Sequence, residues 1–264
     1  MATQKVVAVT GASRGIGSCI AEALAQRGHV VGCLSRRGQG PEDRRIYGDL
    51  VNLTCDITDD GQIRDALAAL VQQAGRLDGL VNNAGLYIDG PAQDFATEDF
   101  EQVLRTNVTG SFVACREAHP HLVANGGGVI INIGSFYEQL GVRLTAAYSA
   151  SKAAIGALTR SLAVEWAGDN IRVLDVAPGF IATELNAGYM QQETFRRFLQ
   201  RRIPTGGPGQ PEEVGRLVAL LIDAELPFLT GETIVMDGGQ ASTSSRMRGH
   251  HTRFPLLNAY ISQV

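Results

Sequence analysis

A chain of 264 residues with four cysteines, five histidines and one tryptophan is poor in the side chains that build disulfide frameworks and metal centres. Cys19, Cys33, Cys55 and Cys115 form no C-x-x-C pair, and Cys33 and Cys55 fall inside strand-like runs, so buried free thiols are expected. His29, His119, His121, His250 and His251 include no H-E-x-x-H and do not cluster with carboxylates or cysteines, and no metal is expected in the chemistry. No apolar run approaches the roughly 20 residues that cross a bilayer, and the opening MATQKVVAVTGA has no signal-peptide core. A cytoplasmic location with no membrane partner is the expectation. Neither sign of charge dominates, since 27 acidic and 23 basic residues leave a net charge of −4. Arginines bunch at Arg36-Arg37, Arg44-Arg45, Arg196-Arg197 and Arg201-Arg202, but they build no basic field for nucleic acid. A small-molecule partner is expected.

Glycine, by contrast, is plentiful: 31 residues, well above the roughly 7% of ordinary proteins. It suits many tight strand-to-helix turns, and the chain is patterned for them. Short β-branched runs (KVVAVT, VVGCLS, LVNLTCD, GLVNN, GVIINI, IRVLDV, ETIVMD) alternate with helical patterns at Gly15 to Arg27, Thr58 to Gln73, Thr97 to Ala118, around Tyr148, and at Pro211 to Ile222. Such alternation predicts right-handed βαβ units and an α/β fold whose parallel sheet is covered on both faces. Between Arg37 and Leu50 the segment GQGPEDRRIYGD predicts only a short or irregular helix. A single domain over residues 1–240 is expected, followed by an extension at 241–264 that ends in FPLLNAYISQV.

The first strand runs straight into TGASRGIG and a helix. Its glycines let the backbone approach a pyrophosphate, while free N–H groups and the positive end of the helix dipole face it. Gly11, Ser13, Arg14, Gly15, Ile16 and Gly17 are therefore candidate dinucleotide contacts, with the spacing G-x-x-x-G-x-G rather than G-x-G-x-x-G. An NAD-selective protein places a carboxylate at the end of the second strand, to accept from the ribose 2′-hydroxyl. This chain has Leu34-Ser35-Arg36-Arg37 there. Ser35, Arg36 and the nearby Arg14 suit a 2′-phosphate, so NADP(H) is favoured over NAD(H); for Arg37 a solvated loop role is the better reading.

Tyr148 and Lys152 lie four residues apart in AAYSASKAAIGALTRSLAVEW, on one face of a predicted helix. Together with the phosphate loop, this pair makes the chain resemble the short-chain dehydrogenase/reductase family over roughly residues 4 to 240. The motifs agree in order: TGASRGIG, CDITD at 55–59, NNAG at 82–85, TNVTG at 106–110, INIGS at 131–135, YSASK at 148–152 and APG at 177–179. The resemblance implies a single-domain, doubly wound Rossmann-type sheet of about seven strands. It also implies a nicotinamide dinucleotide and a catalytic tetrad of Asn107, Ser135, Tyr148 and Lys152. Further cofactor contacts implied by likeness are Asp56, Ile57, Asn83, Ala84, Gly85, Pro178, Gly179, Ile181 and Thr183, besides Tyr148 and Lys152 themselves; Leu86, Tyr87 and Asp89 are not included.

In these roles a protonated Tyr148 delivers a proton to the developing alkoxide, and Ser135 holds the carbonyl oxygen. Lys152 binds the nicotinamide ribose and biases the phenol toward ionisation. Asn107, by family likeness, holds a water that feeds Lys152. Bringing a phenol from pKa about 10 to about 7 needs roughly 4 kcal/mol, and an ammonium about 6 Å away at an effective dielectric of 20 supplies about 3. The lysine alone falls short, and the oxidised nicotinamide and a helix N-terminus are expected to add the rest.

The resemblance is nearest to 3-oxoacyl-carrier-protein reductases and carbonyl reductases. Carrier docking uses basic residues at two places where this chain reads Asn125-Gly126-Gly127-Gly128 and Gly168-Asp169-Asn170. An NADP(H)-dependent carbonyl reductase or secondary-alcohol dehydrogenase is thus the favoured expectation. The alternatives are a 3-oxoacyl thioester reductase and a non-catalytic dinucleotide sensor. Tyr137 and Leu140 are expected to wall the substrate, with Ile181 to Pro204 as a flexible flank whose FRRFLQRRIP reads as an amphipathic helix with a solvated face. Likeness also implies a homotetramer, packed through the Tyr148 helix and the helix before it, with FPLLNAYISQV packed on the body or on a neighbouring subunit.

Overall fold

Seven runs of valine, isoleucine and leucine become strands in the computed structural model, which describes residues 3–41, 49–184 and 187–242. They are β1 (Val6–Thr10), β2 (Val30–Ser35), β3 (Leu50–Thr54), β4 (Gly79–Asn82), β5 (Gly128–Ile133), β6 (Ile171–Pro178) and β7 (Thr233–Met236). Every pairing is parallel, in the order β3-β2-β1-β4-β5-β6-β7. The winding reverses between β1 and β4, so the loops leaving their carboxyl ends diverge and open a crevice there. Arg44-Arg45 and the FPLLNAYISQV end of the extension lie outside the described residues.

Helices cover both faces, which is why all five residues of β1 are buried. On one side α1 (Gly15–Ala25) and α8 (Pro211–Asp223) set Ile20, Leu24, Val214 and Val218 against Val7, Val9 and Ile131. On the other, α2 (Asp60–Ala74), α4 (Gly110–Ala124) and α5 (Ala146–Glu165) set Leu67, Leu70, Leu122 and Leu162 against Ala8, Leu80 and Ile130. The strand period of two sends Val7 and Val9 to the first core and Ala8 to the second. Local chemistry fixes the helix ends. Asp59 caps α2 by accepting from the Gln62 N–H at 3.0 Å, and Gly75 stops it at φ 83°. Pro211 opens α8 behind a Gln210–Glu213 capping box.

One helix departs from the sequence pattern. The continuous helix expected from Thr97 to Ala118 is divided into α3 (Thr97–Leu104) and α4 by a single π turn at Arg105–Thr109. The extra residue turns Asn107 inward, where it is 1% exposed. Hydrophobic periodicity carries no signal for such a turn. Beyond β6 the flank holds α6 (Ala187–Met190) and the basic helix α7 (Glu193–Arg202). Glu193 pairs with Arg196 and Arg197 on its outer face, while Leu199 is buried. This is the amphipathic helix expected there.

Candidate active site

The parallel sheet brings the carboxyl ends of its seven strands to one edge, and the cofactor residues singled out in the sequence, apart from the helical Tyr148 and Lys152, leave from that edge. Gly11, Ser13, Arg14, Gly15, Ile16 and Gly17 form the β1–α1 turn. Ser35 and Arg36 end β2, Asp56 and Ile57 follow β3, and Asn83, Ala84 and Gly85 follow β4. Pro178 closes β6, and Gly179, Ile181 and Thr183 lead away from it. The first turn is held close to the β4 loop. Asn83 donates to the Thr10 and Gly11 carbonyls at 3.0 and 3.2 Å, and Thr10 Oγ1 accepts from the Asn83 and Ala84 N–H groups at 3.0 Å. Gly11 has φ 66°, and a Cβ on it would meet Ala84 Cα at 2.9 Å; a Cβ on Gly17 would run into the Gly11 carbonyl.

These features fit a dinucleotide. The N-terminus of α1 has no side-chain cap and no acidic residue in its first turn, so its N–H groups and dipole are open to an anion. A Cβ placed on Gly15 would come within 4.0 Å of the Thr183 methyl, so the loop after β6 passes close to this turn. Arg14 and Arg36 are exposed on its outer side. The Ser35 hydroxyl is engaged with Gln39, donating to its carbonyl at 2.7 Å and accepting from its N–H at 2.8 Å. Asp56 Oδ1 accepts from the Thr58 N–H and hydroxyl, whereas the Ile57 side chain belongs to the core.

Around Tyr148, the residues are drawn together from three elements. Ser135, at the end of β5, hydrogen-bonds the phenol and accepts from the Tyr137 N–H at 3.2 Å. Lys152 Nζ lies 5.6 Å from the Tyr148 ring centroid and donates to the Ile133 carbonyl at 2.6 Å. Asn107 accepts from the Leu86 N–H at 2.7 Å, and its amide donates to the Leu86 carbonyl and to Ser151 Oγ, each at 2.9 Å. Both amide hydrogens are thus committed to bracing the β4 loop against α5.

The electrostatics run against the simple expectation for the phenol. Burial pushes Tyr148 up to about 12, the Ser135 hydrogen bond pulling back and Tyr137 adding to the rise. Lys152, 6% exposed, is itself pulled down to about 8 by burial, with the carboxylates of Asp175 and Glu138 opposing. Desolvation outweighs the attraction of a lysine whose ammonium is turned to a backbone carbonyl.

Tyr87, Asp89, Phe180 and Phe195 join the expected Tyr137 at the site without having been expected there. Tyr87 packs edge-on to Tyr148 with centroids 5.0 Å apart, and Tyr137 does so at 5.8 Å. Phe180 continues this wall against Tyr137 at 6.4 Å, and Phe195 of α7 meets Phe180 at 6.2 Å. Asp89 is raised by burial, and Tyr137 is pushed up to about 12 by burial first and then by the Asp89 charge. The run FYE after Ser135 and the aromatic after Pro178-Gly179 were the signals available; only the Tyr137 part of them was read.

Known proteins resemble this chain in sequence and fold. A family model described as enoyl-(acyl carrier protein) reductase matches residues 11–241. Carbonyl reductase family member 4 of Danio rerio is 36% identical over 238 residues, 89% of this chain and 97% of the relative. The 3-oxoacyl-[acyl-carrier-protein] reductase of Homo sapiens is 34% identical over 237 residues, with the same coverage of 89% and 97%. Among solved structures, a gluconate 5-dehydrogenase from Burkholderia cenocepacia J2315 in complex with NADP and tartrate superposes with a TM-score of 0.83 at 30% identity, over 92% of this chain and 97% of that one. With the seven-stranded sheet, the glycine turn and the Ser135–Tyr148–Lys152 group in place, these likenesses make the chain an oxidoreductase that belongs to the short-chain dehydrogenase/reductase family.

Proposed function

We propose that the protein is an NADP(H)-dependent carbonyl reductase or secondary-alcohol dehydrogenase in which Tyr148 is the general acid. The observation that carries this reading is the Tyr148 phenol itself, held protonated by burial and hydrogen-bonded to Ser135 at the mouth of the dinucleotide cradle. A bound nicotinamide supplies the hydride for reduction and accepts it in the reverse direction. Ser135 orients the carbonyl oxygen, Tyr148 gives it a proton, and Lys152 carries the positive charge beside the phenol. Asn107 braces the floor, since its amide ties Leu86 to Ser151. Gly11 to Gly17 and the α1 N-terminus hold the pyrophosphate, with Asp56, Asn83 to Gly85 and Pro178 to Thr183 lining the remainder. Arg14 and Arg36 stand where a 2′-phosphate is read, supporting NADP(H).

The rings of Tyr87, Tyr137 and Phe180 favour an apolar or ring-bearing ketone. A 3-oxoacyl thioester is the second reading, supported by the name of the human relative. Against it stand the uncharged Asn125 to Gly128 and the acidic Asp169, which pairs with His119 at 2.9 Å. Apolar side chains exposed on α4 and α5, Phe112, Val123 and Val164, support a homotetramer packed through these helices. A panel of free ketones, secondary alcohols and a carrier-bound 3-oxoacyl substrate, followed by nicotinamide absorbance with NADPH and NADH in parallel, tests the reading. Turnover of free ketones with NADPH supports it. Turnover confined to the carrier-bound substrate establishes the second reading, and none with any member overturns both.

A further inference from the structure

Two carboxylates, one buried and one half-buried, meet behind Lys152. Asp175, on β6, has 0% of its surface exposed, and Glu138 ends a short 3-10 turn after Ser135. Two glycines make their space. A Cβ on Gly134 would lie 2.5 Å from Asp175 Oδ1 and 2.8 Å from Glu138 Oε1, and one on Gly156, a helical turn beyond Lys152, would displace Glu138 Oε2. Thr233 of β7 donates to Asp175 Oδ2 at 3.1 Å. Glu138 Oε1 and Asp175 Oδ1 are buried and take no well-formed hydrogen bond among the described residues, although the Ser135 N–H favours the charged form of Glu138 and the Gly134 N–H that of Asp175.

Two buried acceptors facing one another are satisfied when one of the carboxyl groups keeps its proton and donates it to the other. Burial first, and then the Asp175 charge, push Glu138 up to about 8; burial also raises Asp175, against the pull of its bonds to Glu138 and Thr233. The charged groups facing the pair both come from α5. Lys152 faces it on the inner side, and Arg160 brings Nη1 to 3.5 Å from the Gly156 Cβ position at the exposed rim. From β7 it is faced by the uncharged Thr233, and Ser135 and Lys152 stand between it and Tyr148.

We propose that Glu138 and Asp175 share one proton and one negative charge, and that this charge keeps the buried Lys152 an ammonium. The pair touches neither substrate nor cofactor, so both are positioning residues acting through Lys152. Two negative charges in this space would repel, and none would leave a desolvated lysine to lose its proton. This rests on the role given above to Tyr148 and Lys152.

The test uses isosteric amides in the full chain. Glu138→Gln leaves the single charge on Asp175, Asp175→Asn leaves it on Glu138, and the double variant leaves none. In ketone reduction with NADPH, the alkaline limb of kcat/KM is expected to move by less than about half a pH unit in each single variant. In the double variant it should move down by roughly one to two units, the size of losing a unit charge inside a buried cluster. A double variant that folds and keeps the original limb overturns the proposal, as does a single variant that shifts it as far as the double. A second measurement needs no turnover and no variant that might unfold. Infrared spectra of the unaltered protein should contain a protonated carboxylic C=O band at neutral pH that fades as pH rises through about 8, and this band should be missing in Glu138→Gln. A folded protein without the band contradicts the shared proton. A band present in a protein that reduces no carbonyl leaves the shared proton standing and removes the proposed function instead.

Discussion

At the scale of single residues, the phenol and the ammonium exchange the parts that spacing alone gave them. The i, i+4 geometry predicts a lysine that lowers its tyrosine, yet Tyr148 is pushed up to about 12 and Lys152 down to about 8, each chiefly by burial. An acid that stays protonated throughout the neutral range suits the reductive direction, so the group that titrates first is the lysine. Its folded value lies below the ordinary one, and the charged form is lost as pH rises. Reduction is therefore expected to decline above about pH 8, with the limb read in kcat/KM as that of the free enzyme. Lys152→Ala should abolish that limb along with most of the activity. An unchanged pH profile in this variant at saturating cofactor contradicts the coupling. The residue types were legible in the sequence because Tyr-x-x-x-Lys sits between ordered motifs. The burial that reverses their electrostatics was not, since side chains such as Tyr87 and Tyr137 that pack on the phenol are brought in by other elements, while the Glu138–Asp175 pair only partly offsets it at Lys152.

At the scale of elements, the glycine turn and the π turn are opposite cases of legibility. Gly11 and Gly17 could be read because no other residue fits the close approach of β1, α1 and the β4 loop. Gly17→Ala drives a methyl into the Gly11 carbonyl, and the expected outcome is loss of NADPH binding by tenfold or more, measured by nicotinamide fluorescence, since overpacking costs about 1–3 kcal/mol. The π turn at Arg105–Thr109 had no such mark, because a single inserted residue leaves apolar spacing on either side intact. What fixes it is tertiary: Asn107 is satisfied by Leu86 and Ser151, neither of them adjacent in sequence. Asn107→Ala removes three hydrogen bonds and leaves backbone groups of the β4 loop unpaired. It is expected to lower unfolding free energy by about 2–3 kcal/mol in urea denaturation. A loss below about 0.5 kcal/mol contradicts the bracing role.

At the scale of the whole molecule, strand–helix alternation was enough to predict a parallel sheet covered on both faces, while its doubly wound order and seven strands were expected from the family resemblance. The expectation of a tetramer rests on family likeness alone. The structure adds Val164, 82% exposed, as the most open of the large apolar side chains that α4 and α5 present for the proposed assembly. Val164→Glu is expected to lower the mass found by light scattering; an unchanged tetramer, or a wild-type monomer, contradicts assembly through this face. The account as a whole turns on the proton that Tyr148 gives. The direct measurement is ketone reduction by Tyr148→Phe beside the unaltered protein, with NADPH binding measured on the same samples. The account predicts a fall in kcat of about 10²- to 10⁴-fold with cofactor binding kept. A variant that reduces ketones at the original rate contradicts it.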